Sequence, residues 1–153
     1  MVHNRAEILL VEDNVADVKL FRDLISGPYE VTVADNGAEA LDRLFQRGRF
    51  SGSGRPDLVV LDLNIPLVNG HEVLNAIKSN SRLRSIPVII FSASMNEKDI
   101  EKAYEFGASA YLVKPSDLAE MEGTLFSFVD FWIKRVVYPG MVRVPTRSAE
   151  SGS

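Results

Sequence analysis

Short apolar runs that stop abruptly at charge are what most constrain this chain. Residues 8–11 ("ILLV") end on Glu12 and Asp13, and residues 58–61 ("LVVL") end on Asp62. Runs of four leucine-rich or β-branched residues read as strands buried on both faces, the signature of a parallel sheet. Between them, apolar residues recur at helical spacing. Val18, Phe21, Leu24 and Ile25 form one stripe, ended at Gly27 and Pro28; Leu41, Leu44 and Phe45 form a second. Val73, Leu74 and Ile77 form a third, and Ile100, Ala103 and Tyr104, within residues 97–106, a fourth. Further strands are expected in "YEVTVAD", where Val31 and Val33 alternate with polar neighbours, in "VIIFSAS" after Pro87, and at residues 110–113. A Gly-, Ser- and Arg-rich loop spans residues 47–56. Five strands alternating with five helices predict right-handed βαβ units and a sheet covered on both faces. The strand order does not follow from the pattern alone.

A fifth helix is predicted over residues 117–137. Leu118, Met121, Leu125, Phe128, Val129, Trp132 and Val136 follow one another at a spacing that is nearly all three and four, while Phe126, Phe131 and Ile133 fall off that stripe. The helix is therefore more apolar than one core-facing side requires, and the excess predicts a protein interface. The tail from Tyr138 onward is polar and broken by proline, and is expected to be a mobile extension over residues 138–153.

At 153 residues the chain has room for one core, so one domain is expected and any output module should be another molecule. Its 17 basic residues are scattered and outnumbered by 21 acidic ones, which argues against nucleic acid as a direct partner. No apolar stretch is long enough to cross a bilayer and "MVHNRAEILLV" lacks a signal-peptide pattern, so the expected location is cytoplasmic. Neither His71 nor His3 suggests a histidine metal site.

Carboxylates at the carboxyl ends of two strands would converge in the crevice where open α/β sheets bind ligands. Converged acids repel unless a cation holds them, and hard oxygen donors of this kind suit Mg²⁺. Taken singly, each feature has a plainer explanation. Glu12 and Asp13 could cap a helix start; Ser92 could be a loop hydroxyl, Tyr111 a core aromatic, and Lys114 with Pro115 an ordinary strand exit. The proline also admits a cis bond that would aim the lysine at the site.

Taken together, Glu12 and Asp13, Asp62, Ser92, Tyr111, and Lys114 with Pro115, with Pro66 and Gly70 in the loop between, resemble the receiver domain of two-component response regulators over residues 6–137. The resemblance implies a flavodoxin-like doubly wound (βα)5 fold with a parallel sheet in order 2-1-3-4-5, which places the ligand crevice at the switch between strands one and three. It implies that Asp62 accepts a phosphoryl group from a sensor histidine kinase and that Lys114 pairs with it. It further implies that Asp13, Asp62 and the backbone carbonyl of Asn64 ligate Mg²⁺, with Glu12 acting through a water. Ser92 and Tyr111 would form the switch that re-forms the face of helix four, strand five and helix five. Ser92 stands where many receivers carry threonine, which keeps the hydroxyl.

The "DLNIP" after strand three and the tail "FVDFWIKRVVYPG" resemble, on fewer residues, single-domain regulators of phytochrome-type histidine kinases. That likeness implies a homodimer through helix five, with Phe128, Phe131, Trp132 and Tyr138 at its interface. The expected role is a self-phosphorylating signalling protein rather than an enzyme acting on other substrates, with a phosphate carrier or sink in a phosphorelay as the alternative. A flavin module of this fold would want a glycine-rich phosphate loop where "VEDN" stands. An aspartyl phosphohydrolase resembles a D-x-D pattern, and Asn64 supplies no second acid. A receiver reduced to a docking scaffold should have a damaged pocket, whereas every signature residue is present.

Overall fold

The computed structural model describes residues 6–25 and 29–140. The expected helix end at Gly27 and Pro28, His3 and most of the C-terminal extension lie outside the described residues. Five strands, β1 (Ala6–Val11), β2 (Tyr29–Ala34), β3 (Leu58–Leu61), β4 (Val88–Ser92) and β5 (Ala110–Val113), alternate with helices α1 (Val15–Leu24), α2 (Gly37–Leu44), α3 (Gly70–Lys78), α4 (Glu97–Glu105) and α5 (Leu118–Phe128). All strand pairs are parallel and the order is β2-β1-β3-β4-β5. β1 lies at the switch point, with Val11 beside both Ala34 and Leu61.

Alternation along the strands sends side chains to two cores. Leu9, Val11, Val59, Leu61, Val88 and Ile90 pack with Val73, Leu74 and Ile77 of α3 and Ala103 of α4. Ile8, Leu10, Leu58, Val60, Ile89 and Phe91 pack with Phe21 of α1 and Met121, Leu125 and Phe128 of α5. Each fully buried Leu or Ile contributes about 1.5–3 kcal/mol against solvent exposure, so β1, β3 and β4 anchor both layers. Each helix begins at an Asn or Asp whose side chain accepts a backbone N–H: Asn14, Asn36, Asn69, Asn96 and Asp117. These caps satisfy donors that the helix cannot pair internally, and they fix where each chain segment leaves the carboxyl edge of the sheet. The 47–56 loop contains a 3-10 turn, Gly48–Phe50, in which the guanidinium groups of Arg43 and Arg49 lie 4.2 and 4.6 Å from the centre of the buried Phe50 ring.

The last helix differs from the continuous α-helix read over residues 117–137. After Phe128 the chain turns into a π turn, Val129–Ile133, with Lys134 N–H donating to Val129 O at 3.0 Å and Val136 N–H to Phe131 O at 2.9 Å. Those bonds span five residues instead of four, so the turn holds one residue more and the buried seam advances by one position. The seam runs through Met121, Leu125, Phe128 and Val129 as α periodicity requires, then lands on Ile133, which is 2% exposed. Trp132 is left half-buried and Phe131 is 55% exposed. At the other end Leu118, counted on the core stripe, is exposed in the first turn.

The interface assignments change accordingly. Phe128 and Tyr138 are buried within the protomer, Phe128 against Phe21 and Tyr138 through a hydrogen bond from its hydroxyl to Trp132 O at 2.5 Å. Both are core residues and neither is free to face a partner. Tyr138 therefore packs with the domain rather than with a loose extension, because its ring joins the core beside the π turn. Among the described residues no helix is long and apolar enough to cross a membrane.

Candidate functional site

The carboxyl edge of the sheet gathers the charged residues through the ladder itself. Glu12 N–H donates to Ala34 O at 2.9 Å, Asp62 N–H to Val11 O at 3.0 Å and Lys114 N–H to Ser92 O at 2.8 Å. Each residue directly follows its strand, and its backbone is still held by the neighbouring strand. The loop from Asp62 to α3 folds back tightly: Gly70 N–H donates to Leu63 O at 3.0 Å, and a Cβ at Gly70 would stand 2.5 Å from Asp62 O. Only glycine permits that approach.

Side chains then converge on one ammonium. Lys114 Nζ lies 2.6 Å from Glu12 Oε1, 2.9 Å from Asp17 Oδ2 and 3.0 Å from Asp62 Oδ2. The lysine side chain is 10% exposed and that of Asp62 8%, so the pairs sit where charge is weakly screened. Burial alone would lower the Lys114 ammonium. Hydrogen bonds to Asp17 and Glu12 and the charges of Glu12 and Asp62 outweigh it, holding the group above its ordinary value. Burial pushes the Glu12 carboxyl up to about 7, against the hydrogen bond from Lys114, and the charge of Asp62 adds to the rise.

The Lys114 to Pro115 bond is trans, contrary to the cis bond admitted by the sequence. The ladder bond to Ser92 and the three ion pairs aim the lysine without it.

Glu12, Asp13 and Asp62 each offer a carboxylate oxygen within 4.8 Å of the others. With Asp17 beside them the pocket sets four acids against one lysine, a surplus of negative charge that a divalent cation would relieve. The donor set is all oxygen and suits a hard cation. Asn64 N–H donates to Asp62 Oδ1 at 3.1 Å, while Asp62 Oδ2 accepts from the lysine, so both carboxylate oxygens are oriented.

Ser92 is fully buried at the end of β4, with its hydroxyl accepting from Ser94 N–H at 3.2 Å. Half-buried Tyr111 donates its hydroxyl to Ser94 O at 2.8 Å. The two expected switch residues thus meet through Ser94, whose own hydroxyl donates to Asp99 Oδ2 at 2.6 Å on α4. His71 is tied to the same helix, its Nε2–H donating to Asp99 O at 3.1 Å, and it is half-buried.

Asp17 is the residue that sequence reasoning missed. An acid in the first turn of a helix is explained by the helix dipole, and that explanation hides its second place as a partner of Lys114. Helical spacing gives no signal either, because Asp13 precedes the Asn14 cap and lies outside α1. A groove of about 880 Å³ opens beside the pocket between α1 and the start of α5, lined by Leu20, Met95, Leu118 and Met121 along with Asp17 and Lys114.

A doubly wound parallel sheet with an acid cluster and a buried lysine at the carboxyl ends of its strands defines an α/β class with a charged pocket at the switch point. Comparison narrows it: the response regulator receiver domain family matches residues 8–126, and the chain belongs to that family. Response regulator Rcp1 of Synechocystis sp. is 36% identical over 135 residues, covering 86% of this chain and 92% of its own. The polar-differentiation response regulator DivK of Brucella anthropi is 37% identical over 123 residues, 80% of this chain and 94% of its own.

Among solved structures, the phosphorylated cyanobacterial phytochrome response regulator RcpA superposes with a TM-score of 0.85 at 37% identity, over 88% of this chain and 99% of that one. The Mn²⁺-bound form of Rcp1 gives the same TM-score at 36% identity and the same coverage. The protein is thus a two-component response regulator with phytochrome-associated relatives, a signalling protein of a family whose partners are histidine kinases.

Proposed function

We propose that Asp62 is the phosphoacceptor and that the protein signals by being phosphorylated there. The observation that carries this reading is the contact between a buried Asp62 carboxylate, held by Asn64 N–H, and the Lys114 ammonium at 3.0 Å. In the transfer, an Asp62 carboxylate oxygen attacks the phosphorus of a phosphohistidine. The P–N bond breaks and its electron pair returns to the imidazole nitrogen. Little covalent work falls to the protein, so catalysis is positioning and charge neutralisation. Lys114 supplies a fixed positive charge at the oxygens that gain negative charge.

Asp13, Asp62 and the Asn64 carbonyl would hold Mg²⁺, with Glu12 acting through a water. When bound, that ion neutralises the phosphoryl oxygens and the surplus acid charge. Ser92 then offers its hydroxyl to the new acceptor oxygens, and Tyr111 follows Ser94 because the same short loop carries both contacts. α4 moves with them through Ser94 and Asp99.

The output is a homodimer whose contact includes Phe131 and Trp132, joined by Phe126 and Val137, which are 65% and 62% exposed. The phosphodonor is a histidine kinase of the phytochrome-associated type. Purified protein incubated with radiolabelled acetyl phosphate should take up label only with Mg²⁺ present. Asp62→Asn should fold normally by circular dichroism and take up none; undiminished labelling of that variant would remove Asp62 from the role.

A further inference from the structure

An ammonium has three N–H donors, and those of Lys114 are all committed, to Glu12 at 2.6 Å, Asp17 at 2.9 Å and Asp62 at 3.0 Å. A phosphoryl group arriving on Asp62 brings oxygens that need one of those donors. The contact to Asp62 Oδ2 can pass to one phosphoryl oxygen, but a second can be met only if Glu12 or Asp17 is released. Glu12 is the shortest and most buried partner, its side chain 3% exposed. Asp17 is the most solvated, at 23%, and it stands outside the acid trio close enough to share a cation. A cation held by the trio therefore leaves the Asp17 contact to Lys114 in place. It is also well placed to persist: Asn14 caps α1 by accepting Asp17 N–H at 3.0 Å, which pins the first turn beside the lysine.

We infer that Asp17 is a positioning residue that competes with Asp62 for the Lys114 ammonium and so restrains phosphoryl capture. The inference rests on Asp62 being the phosphoacceptor. In the resting state Asp17 keeps the lysine centred between α1 and β3; on phosphorylation the lysine leaves Asp17 for the phosphoryl oxygens. A neutral amide at this position accepts a hydrogen bond about half as strong as the charge-assisted one. Asp17→Asn therefore lowers the cost of releasing the lysine without removing the cap, which uses only the backbone N–H.

The test compares Mg²⁺-dependent labelling by acetyl phosphate in wild type, Asp17→Asn, Asp17→Ala and Glu120→Gln. Glu120 lines the same groove, so its variant removes an equal charge without touching Lys114. Both Asp17 variants should label faster, by about fivefold for a partly solvated ion pair, whereas Glu120→Gln should change by less than about twofold because its field is screened by solvent. In the metal-free protein the ¹⁵N resonance of the Lys114 ammonium should shift in Asp17→Asn and stay in place in Glu120→Gln. Unchanged or slower labelling in both Asp17 variants overturns the inference, as does equal acceleration in Glu120→Gln, which would make the effect one of general charge. Failure of the wild type to label at Asp62 is a separate result: it overturns the phosphoacceptor reading and this inference with it.

Discussion

The pocket at the carboxyl edge and the turn after α5 are equally loud in sequence, one through its charges and the other through its aromatics. The structure gathers the first at one point and redraws the second. In the pocket, Glu12, Asp62 and Lys114 each follow directly on a strand and remain bonded to the neighbouring strand. Strand period and sheet order therefore decide their meeting point, with little freedom left. After Phe128, burial depends on counting residues per turn over many turns, and a single π turn moves the seam from Trp132 to Ile133. Positions fixed by a ladder survive small local changes; positions fixed by accumulated helical phase do not.

The largest expected effect separates the two phase assignments directly. Ile133→Ala should cost about 3 kcal/mol, as for other fully buried aliphatic truncations, while Phe131→Ala, compared at concentrations where the protein is monomeric, should cost about 1 kcal/mol, the worth of its edge-to-face contact with Trp132. Urea unfolding of the two variants checks this, and equal losses would restore a plain α-helix. Phe131→Asp should in turn lower the solution mass measured by light scattering while leaving Mg²⁺-dependent labelling intact. A mass unchanged from wild type would remove Phe131 from the dimer contact.

The pocket can be tested through pH. With its folded value raised to about 7 from 4.5, Glu12 binds a proton in the folded state that the unfolded chain has already released. Its contribution to stability is fully present below about 4.5 and is lost as pH rises through about 7. The metal-free protein should accordingly lose stability between about pH 5 and about pH 8 by roughly 1–3 kcal/mol, and Glu12→Gln should flatten that slope. A cation must displace the same proton, so apparent Mg²⁺ affinity should rise with pH over this window. Equilibrium unfolding at several pH values, with and without Mg²⁺, reads both effects.

A smaller effect than that of Ile133→Ala lies beside the π turn. Tyr138→Phe removes a buried hydrogen bond to Trp132 O and should cost about 1 kcal/mol. Burial raises the Tyr138 phenol above its ordinary value, with the charge of Asp57 adding to it. Its contribution is therefore complete below about pH 10 and is lost as pH climbs through the folded value. The variant should lack that alkaline loss, as unfolding followed into the alkaline range would show.

Much of this molecule is legible in its sequence. The alternation of strands and helices and the meeting of Glu12, Asp13 and Asp62 follow from apolar runs and their terminal charges; strand order and the entry of Lys114 from β5 come with the family likeness. Asp17 is not legible, because an acid in a first helical turn already has a sufficient local explanation. The trans bond before Pro115 is not legible either, since proline permits both isomers. The likeness to dimeric single-domain regulators puts Phe128 and Tyr138 at an interface, without saying which of these aromatics pack internally. Phe21 and the carbonyl of Trp132 answer that only through tertiary packing.

Phosphorylation of Asp62 is the central claim, and a chemical measurement meets it most directly. Protein treated with acetyl phosphate and Mg²⁺ should show, by mass spectrometry of rapidly quenched peptides, one added phosphoryl group on the peptide that carries Asp62. A phosphoryl group found on another residue, or none while Mg²⁺ is bound, would contradict the account.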